Sequence, residues 1–194
     1  MAKKFVFNTS DYILYLLQHL EPKQSGKIKL NKIAFFVEFG YIHKTGNPLS
    51  ATAYAGINLG PIINNYKLIL QEMQQKGLIK IDGNCLRLLK DPKVEVPGEI
   101  SQVIDPLIAK YSQLSDTELV KLSHLTDSYQ ITTQNSQTMG KKINKNLASL
   151  ESFYDEESCE DDIDENKLPS IAKEHLIPYE IWARVYSSSY EKLW

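Results

Sequence analysis

The stretch Lys29-Leu30-Asn31-Lys32-Ile33-Ala34-Phe35-Phe36-Val37-Glu38-Phe39-Gly40-Tyr41-Ile42-His43-Lys44-Thr45-Gly46-Asn47-Pro48-Leu49 decides the architecture. Leu30, Ile33, Ala34, Val37 and Tyr41 fall on one helical stripe, and Phe35, Phe36 and Phe39 widen the apolar surface almost all round. Such a helix is packed on more than one side and is therefore central. Gly46 is placed for a left-handed C-terminal cap and Pro48 forbids continuation, which bounds the helix at about residues 30–44.

Working outward, Thr9-Ser10-Asp11 offers an N-cap and an early acid for a preceding helix. Tyr12, Ile13, Leu16, Leu17 and Leu20 share one face of it, and Pro22 ends it. Downstream, residues 51–59 are β-compatible and lack helical periodicity, so they read as an extended segment or short strand. Gly60-Pro61 then reads as the start of a third helix running to about Lys76, with Pro61 in its first turn and Gly77 at its end. Ile62, Ile63, Tyr66, Ile69, Leu70 and Met73 supply its buried face. The segments 78–81 and 84–88, joined by Asp82-Gly83, read as a β-hairpin closed by a type I′ turn. Helix, helix, extended piece, helix, hairpin is the order of a winged helix.

Two more helices are expected at residues 99–111 and 115–125, the second opened by the capping box Ser115-x-x-Glu118. A further helix is expected within residues 138–153, with Lys141, Lys142 and Lys145 on its wet side. Pro178 could open a last one carrying Tyr179, Trp182, Val185 and Tyr186 on one face. The expected class is mainly α with a small antiparallel β-hairpin: a winged-helix-like core extended by a C-terminal helical bundle. The organisation expected is a helical domain over 1–154, an acidic linker or loop over 155–167 and an aromatic-rich segment over 168–194.

A 194-residue chain with 42% hydrophobic and 24% charged residues has an ordinary globular composition and can bury a real core. No apolar run suits a membrane span or a secretory leader, so the expected location is the cytoplasm. Cys85 and Cys159 have neither metal-ligand nor disulfide-framework spacing. The net charge of −2 conceals an uneven distribution, because residues 155–165 hold eight acids and no base. The rest of the chain carries 22 basic against 16 acidic residues. An acidic block with so little apolar content reads as a solvated loop, or as a cover for a basic surface.

The ordered string Lys29, Leu30, Lys32, Tyr41, Gly46, then Gly60-Pro61, then Leu122-Ser123-His124-Leu125-Thr126-Asp127 resembles the Panacea domain, the SocA-like family of antitoxins, which is also phage-associated. The resemblance covers about residues 9–130. It departs from the family pattern at Ile57-Asn58-Leu59, where an aromatic and Tyr are usual, and at Ser128-Tyr129, where Pro-Trp is common. What the resemblance implies is an antitoxin that binds a cognate toxin protein and blocks it by occupancy, with a possible protease-adaptor role, no catalytic residue and no cofactor.

Ser123, His124 and Asp127 are the residue types of a hydrolase triad. Neighbouring helical positions diverge by about 100° and cannot make the nucleophile-to-base contact, so a structural or interfacial role is expected. No His pairs with a Cys at zinc spacing, and no Gly-rich phosphate loop is present, so neither metal nor nucleotide is expected. The rival function is a winged-helix DNA-binding transcription regulator. Asn64, Asn65, Lys67, Gln71, Gln74 and Gln75 on the third helix could read bases, but cations for phosphate contacts are few. Trp182, Tyr186 and Trp194 are candidate partner contacts, since aromatics are enriched in interface hot spots.

Overall fold

The structure, a computed structural model, describes residues 5–21, 25–90 and 94–154, all of which lie in the first of two units, Met1–Glu157. The acidic block, the expected last helix and Trp182, Tyr186 and Trp194 lie outside the described residues.

Helix α1 (Thr9–His19) starts where the side chain of Asn8 accepts from the Asp11 backbone N–H, one residue before the expected Thr-Ser-Asp cap. Helix α2 (Lys27–Thr45) is the axis of the fold: every residue from Leu30 to Ile42 is buried. Gly46 ends it at φ 70°, donating its N–H to Ile42 O. Phe36 stacks on Tyr111 with centroids 4.4 Å apart, while Phe35 meets Phe39 and the edge of Tyr54. The hydroxyls of Tyr12 and Tyr54 both donate to Ala34 O, fixing α1 and the first sheet to one point on α2.

The chain is mainly helical with small antiparallel strands, as the periodicity indicates, but the hairpins number two among the described residues. Strand β1 (Tyr54–Ile57) pairs with β2 (Gly60–Ile63), so Gly60-Pro61 opens a strand and not the third helix. The physical reason lies in the pairing. Asn64 N–H reaches Ala53 O and Ile63 N–H faces away from β1, so the alternation turns the missing N–H of Pro61 to the sheet edge, where no ladder bond is lost. Helix α3 therefore begins only at Tyr66 (Tyr66–Gln75), after Asn65 takes φ 57°. Ile62 and Ile63 belong to the sheet.

Strands β3 (Ile79–Asp82) and β4 (Cys85–Leu88) form the expected second hairpin. Its two turn residues are Gly83 and Asn84, one position later than expected. Only Gly83 has positive φ, which fits a type II′ turn and not type I′. Ile79 and Leu86 cover the core from this hairpin.

Helices α4 (Gly98–Ser112) and α5 (Asp116–Leu125) follow, and the Ser115–Glu118 capping box is fully formed. The helix expected within 138–153 forms only as a short 3-10 helix and not as an amphipathic α-helix. A short α6 (Asp127–Thr133) comes first, then strand β5 (Lys142–Ile143) on the free side of β1, then a 3-10 helix over Lys145–Leu150. Buried Ile143 and Ala148 are too few apolar anchors for a regular amphipathic helix, and the backbone instead completes the sheet. No described helix is long and apolar enough to cross a membrane.

Candidate functional site

Two polar residues on α2 close the outer edge of β2. Asn31 behaves like a strand fragment: its Nδ2 donates to Pro61 O at 3.0 Å and its Oδ1 accepts from Ile63 N–H at 2.8 Å. Lys32, 2% exposed, donates from Nζ to the same Pro61 O at 2.7 Å. Burial pulls the Lys32 amine down to about 7, because an ammonium there loses its hydration. Gly60 sits beside this amine at φ 82°, and a Cβ on it would come 2.9 Å from Lys32 Nζ and 2.3 Å from Ser123 Oγ. Lys32, the Gly60-Pro61 pair and Ser123, far apart in sequence, thus meet at one buried junction of α2, β2 and α5.

Neighbouring His124 ties the same junction from outside. Its Nδ1 lies 2.7 Å from Val120 O and its Nε2 lies 3.0 Å from Asn58 O in the turn of the first hairpin. Ser123 Oγ donates to Val120 O. Asp127 accepts from both the N–H and the hydroxyl of Ser152, each at 2.9 Å. In return Glu151, fully buried, accepts from the N–H groups of Asp127 and Ser128 at the start of α6. Burial raises the Glu151 carboxyl against the lowering effect of these bonds. Each of Ser123, His124 and Asp127 is therefore bonded to backbone or to Ser152, and the three do not assemble into a relay.

Of the other singled-out residues, Leu30 and Tyr41 are buried in the core, Gly46 caps α2, and Lys29 is half-buried near the start of α2. They do not join the junction.

Reading the sequence alone missed Asn31, Glu38, Lys145 and Glu151. Glu38 is fully buried on α2, where Lys145 Nζ approaches Oε1 at 2.6 Å and the N–H groups of Leu49 and Ser50 each approach Oε1 at 3.2 Å. The Ser50 hydroxyl holds Oε2. A signal was present: a carboxylate inside an apolar run must find a cation or donors. What the sequence does not carry is the partner, which comes from 107 positions away.

Against known proteins, the model of the family described as Antitoxin SocA-like, Panacea domain matches residues 30–130. That span contains every residue of the Lys32–Gly60–Pro61–Ser123 junction. Neither the curated proteins nor the solved structures returned a match.

Proposed function

Because the chain belongs to the SocA-like antitoxin, Panacea domain family, we propose that it is an antitoxin that neutralises a cognate toxin by binding it directly in the cytoplasm, with presentation of the toxin to a protease as a second step. Family membership is the observation that carries this reading. The geometry is in keeping with it, since His124 ties α5 to the turn of the first hairpin, Asp127 ties α6 to the segment after the 3-10 helix and Ser123 bonds within α5, uses that require no chemistry. Action by occupancy needs accessible apolar surface near a rigid frame. Leu59 and Leu125, 54% and 60% exposed, each adjoin one end of the His124–Asn58 contact. The test is co-expression with the product of the adjacent gene, scored by growth and by co-purification. Rescue with a stoichiometric complex is expected; no rescue and no complex with any neighbouring product overturns the reading. Loss of the toxin only when an energy-dependent protease is present would separate presentation from simple blocking.

A second reading, binding to a DNA duplex through α3 and the second hairpin, has one observation in its favour. Lys80 and Arg87 stand directly opposite each other on the exposed face of that hairpin, which brings two cations together beside α3, with the Asp82 carboxylate 3.8 Å from Arg87 offsetting part of that charge. The move of Asn64 and Asn65 off the helix removes two of its base-reading candidates. Binding of a random duplex that falls steeply with salt, and is weakened by Lys80→Ala, is the outcome this reading requires.

A further inference from the structure

Strand β3 pairs with β4 on one side and, among the described residues, with no strand on the other. The register decides which of its backbone groups face the open side. The two-residue turn makes Asp82 and Cys85 a hydrogen-bonded pair, and the bond from Leu89 N–H to Leu78 O closes the other end of the ladder, so Lys80 and Arg87 exchange bonds between them. Ile81 and Leu86 therefore turn their N–H and C=O groups away from each other. Leu86 gives its N–H to Ser25 O on the far side of β4, whereas Ile81 looks out from the β3 edge, where no described strand meets it. Ile79 is buried, so the open edge centres on Ile81. Lys80 and Asp82, opposite in sign, flank Ile81 on the exposed face.

We propose that the β3 edge joins two copies of this chain: a second copy adds antiparallel across a two-fold axis at Ile81, giving a four-stranded sheet in the order β4-β3-β3-β4. In that register the two Ile81 residues exchange two backbone bonds. Lys80 of each copy stands opposite the partner's Asp82 in a non-hydrogen-bonded pair, where side chains lie closest. A register centred on Lys80 instead sets lysine against lysine and brings to the axis backbone groups that β4 already holds. Charge and backbone thus select the same pairing. It also answers the crowding of Lys80 and Arg87 within one hairpin: Asp82 reaches Arg87 of its own chain at 3.8 Å, and the join places a second carboxylate on the other side of Lys80. On the face towards α3, partly buried Ile81 meets its counterpart at the axis and covers apolar surface there. The turn offers no obstacle, because Gly83 comes opposite the partner's Ile79 without a side chain and in open space. Lys27 Nζ holds Gly83 O at 2.7 Å, so the shared ladder is confined to Lys80, Ile81 and Asp82. So short an edge makes a weak, concentration-dependent dimer.

The test is sedimentation equilibrium of the full chain at low salt, at concentrations up to about 1 mM. A reversible monomer–dimer equilibrium is expected. Lys80→Asp and Asp82→Lys each turn two attractive cross-strand pairs into repulsive ones, so each variant alone should associate at least about tenfold more weakly. Both positions are exposed, and melting temperatures are expected to hold. An equimolar mixture of the two variants should recover the wild-type association, because the extra acid of one then meets the extra base of the other. Amide hydrogen exchange followed by NMR supplies a backbone readout. The outward Ile81 N–H should exchange more slowly as concentration rises, while the Lys80 N–H, bonded to β4, is slow throughout. No self-association over this range, a dimer that both single variants leave unchanged, a mixture no stronger than its components, or an Ile81 amide indifferent to concentration overturns the proposal. All of these measurements use the chain alone, so their outcome does not depend on toxin binding.

Discussion

Gly60 and Gly46 both hold a positive φ, but for different reasons, and their alanine variants separate the two costs. At Gly46 a Cβ would meet nothing within 4 Å, so Gly46→Ala should cost only the left-handed backbone term, about 1 kcal/mol. At Gly60 the same term is joined by the clash with Ser123 Oγ and Lys32 Nζ, so Gly60→Ala should cost about 3 kcal/mol or more. Urea unfolding of the two variants checks the ordering. The Lys32 amine adds a pH dependence of definite sign. Its folded pKa of about 7 lies below the ordinary lysine value of 10.5, so from pH 7 to pH 10.5 the unfolded chain binds a proton that the native chain does not. Wild-type stability should therefore gain up to about 5 kcal/mol from this residue as pH rises through that window, and nothing below it. In Lys32→Met this contribution disappears, so the difference between variant and wild type should be largest at pH 6 and shrink towards pH 10.

At the scale of elements, α2 and the capping box of α5 were legible because each is written locally: an apolar run with a Gly stop, and Ser-x-x-Glu at fixed spacing. The first hairpin was not, because Gly-Pro suits a helix start as well as an edge strand, and only the side chains of Asn31 and Lys32 choose between them. Likewise α6 has no long periodic run. Its start is defined by Glu151, which arrives from beyond the 3-10 helix to accept from the Asp127 and Ser128 N–H groups. Glu151→Ala leaves both donors buried without that carboxylate and should cost about 2 kcal/mol, detected as a lower urea midpoint. Glu151→Gln keeps an acceptor and should lose less. Equal losses in the two variants would mean that charge, and not hydrogen bonding, anchors α6. The same logic explains the junction: its sequence signs were visible as separate short motifs, but their convergence on Pro61 O and Gly60 is a property of the packed chain.

At the scale of the whole molecule, the boundary drawn after residue 154 can be argued from what the last described residues do for the core. Tyr154 is 8% exposed and donates from its hydroxyl to Phe36 O at 3.1 Å, while its ring lies 3.3 Å from where a Cβ on Gly40 would stand. Phe153 stacks on Phe36 at 5.7 Å, and Lys145 neutralises buried Glu38. A chain cut after Glu157 keeps all of these contacts, and the fragment 1–157 is expected to melt as one cooperative transition close to that of the full chain. A cut after Asn144 removes Lys145 and strands the Glu38 carboxylate in the core with only its Leu49 and Ser50 donors. Breaking such a pair from one side costs about 3–5 kcal/mol, a large part of the stability of a domain this size. The fragment 1–144 also loses Tyr154 and the Glu151 anchor, and should fail to give a cooperative melt. Circular dichroism melting of the two fragments beside the full chain decides the matter. A fragment 1–157 that does not fold would show that residues 158–194 are required for the core, whereas a well-folded 1–144 would show that the buried Glu38 does not need its lysine.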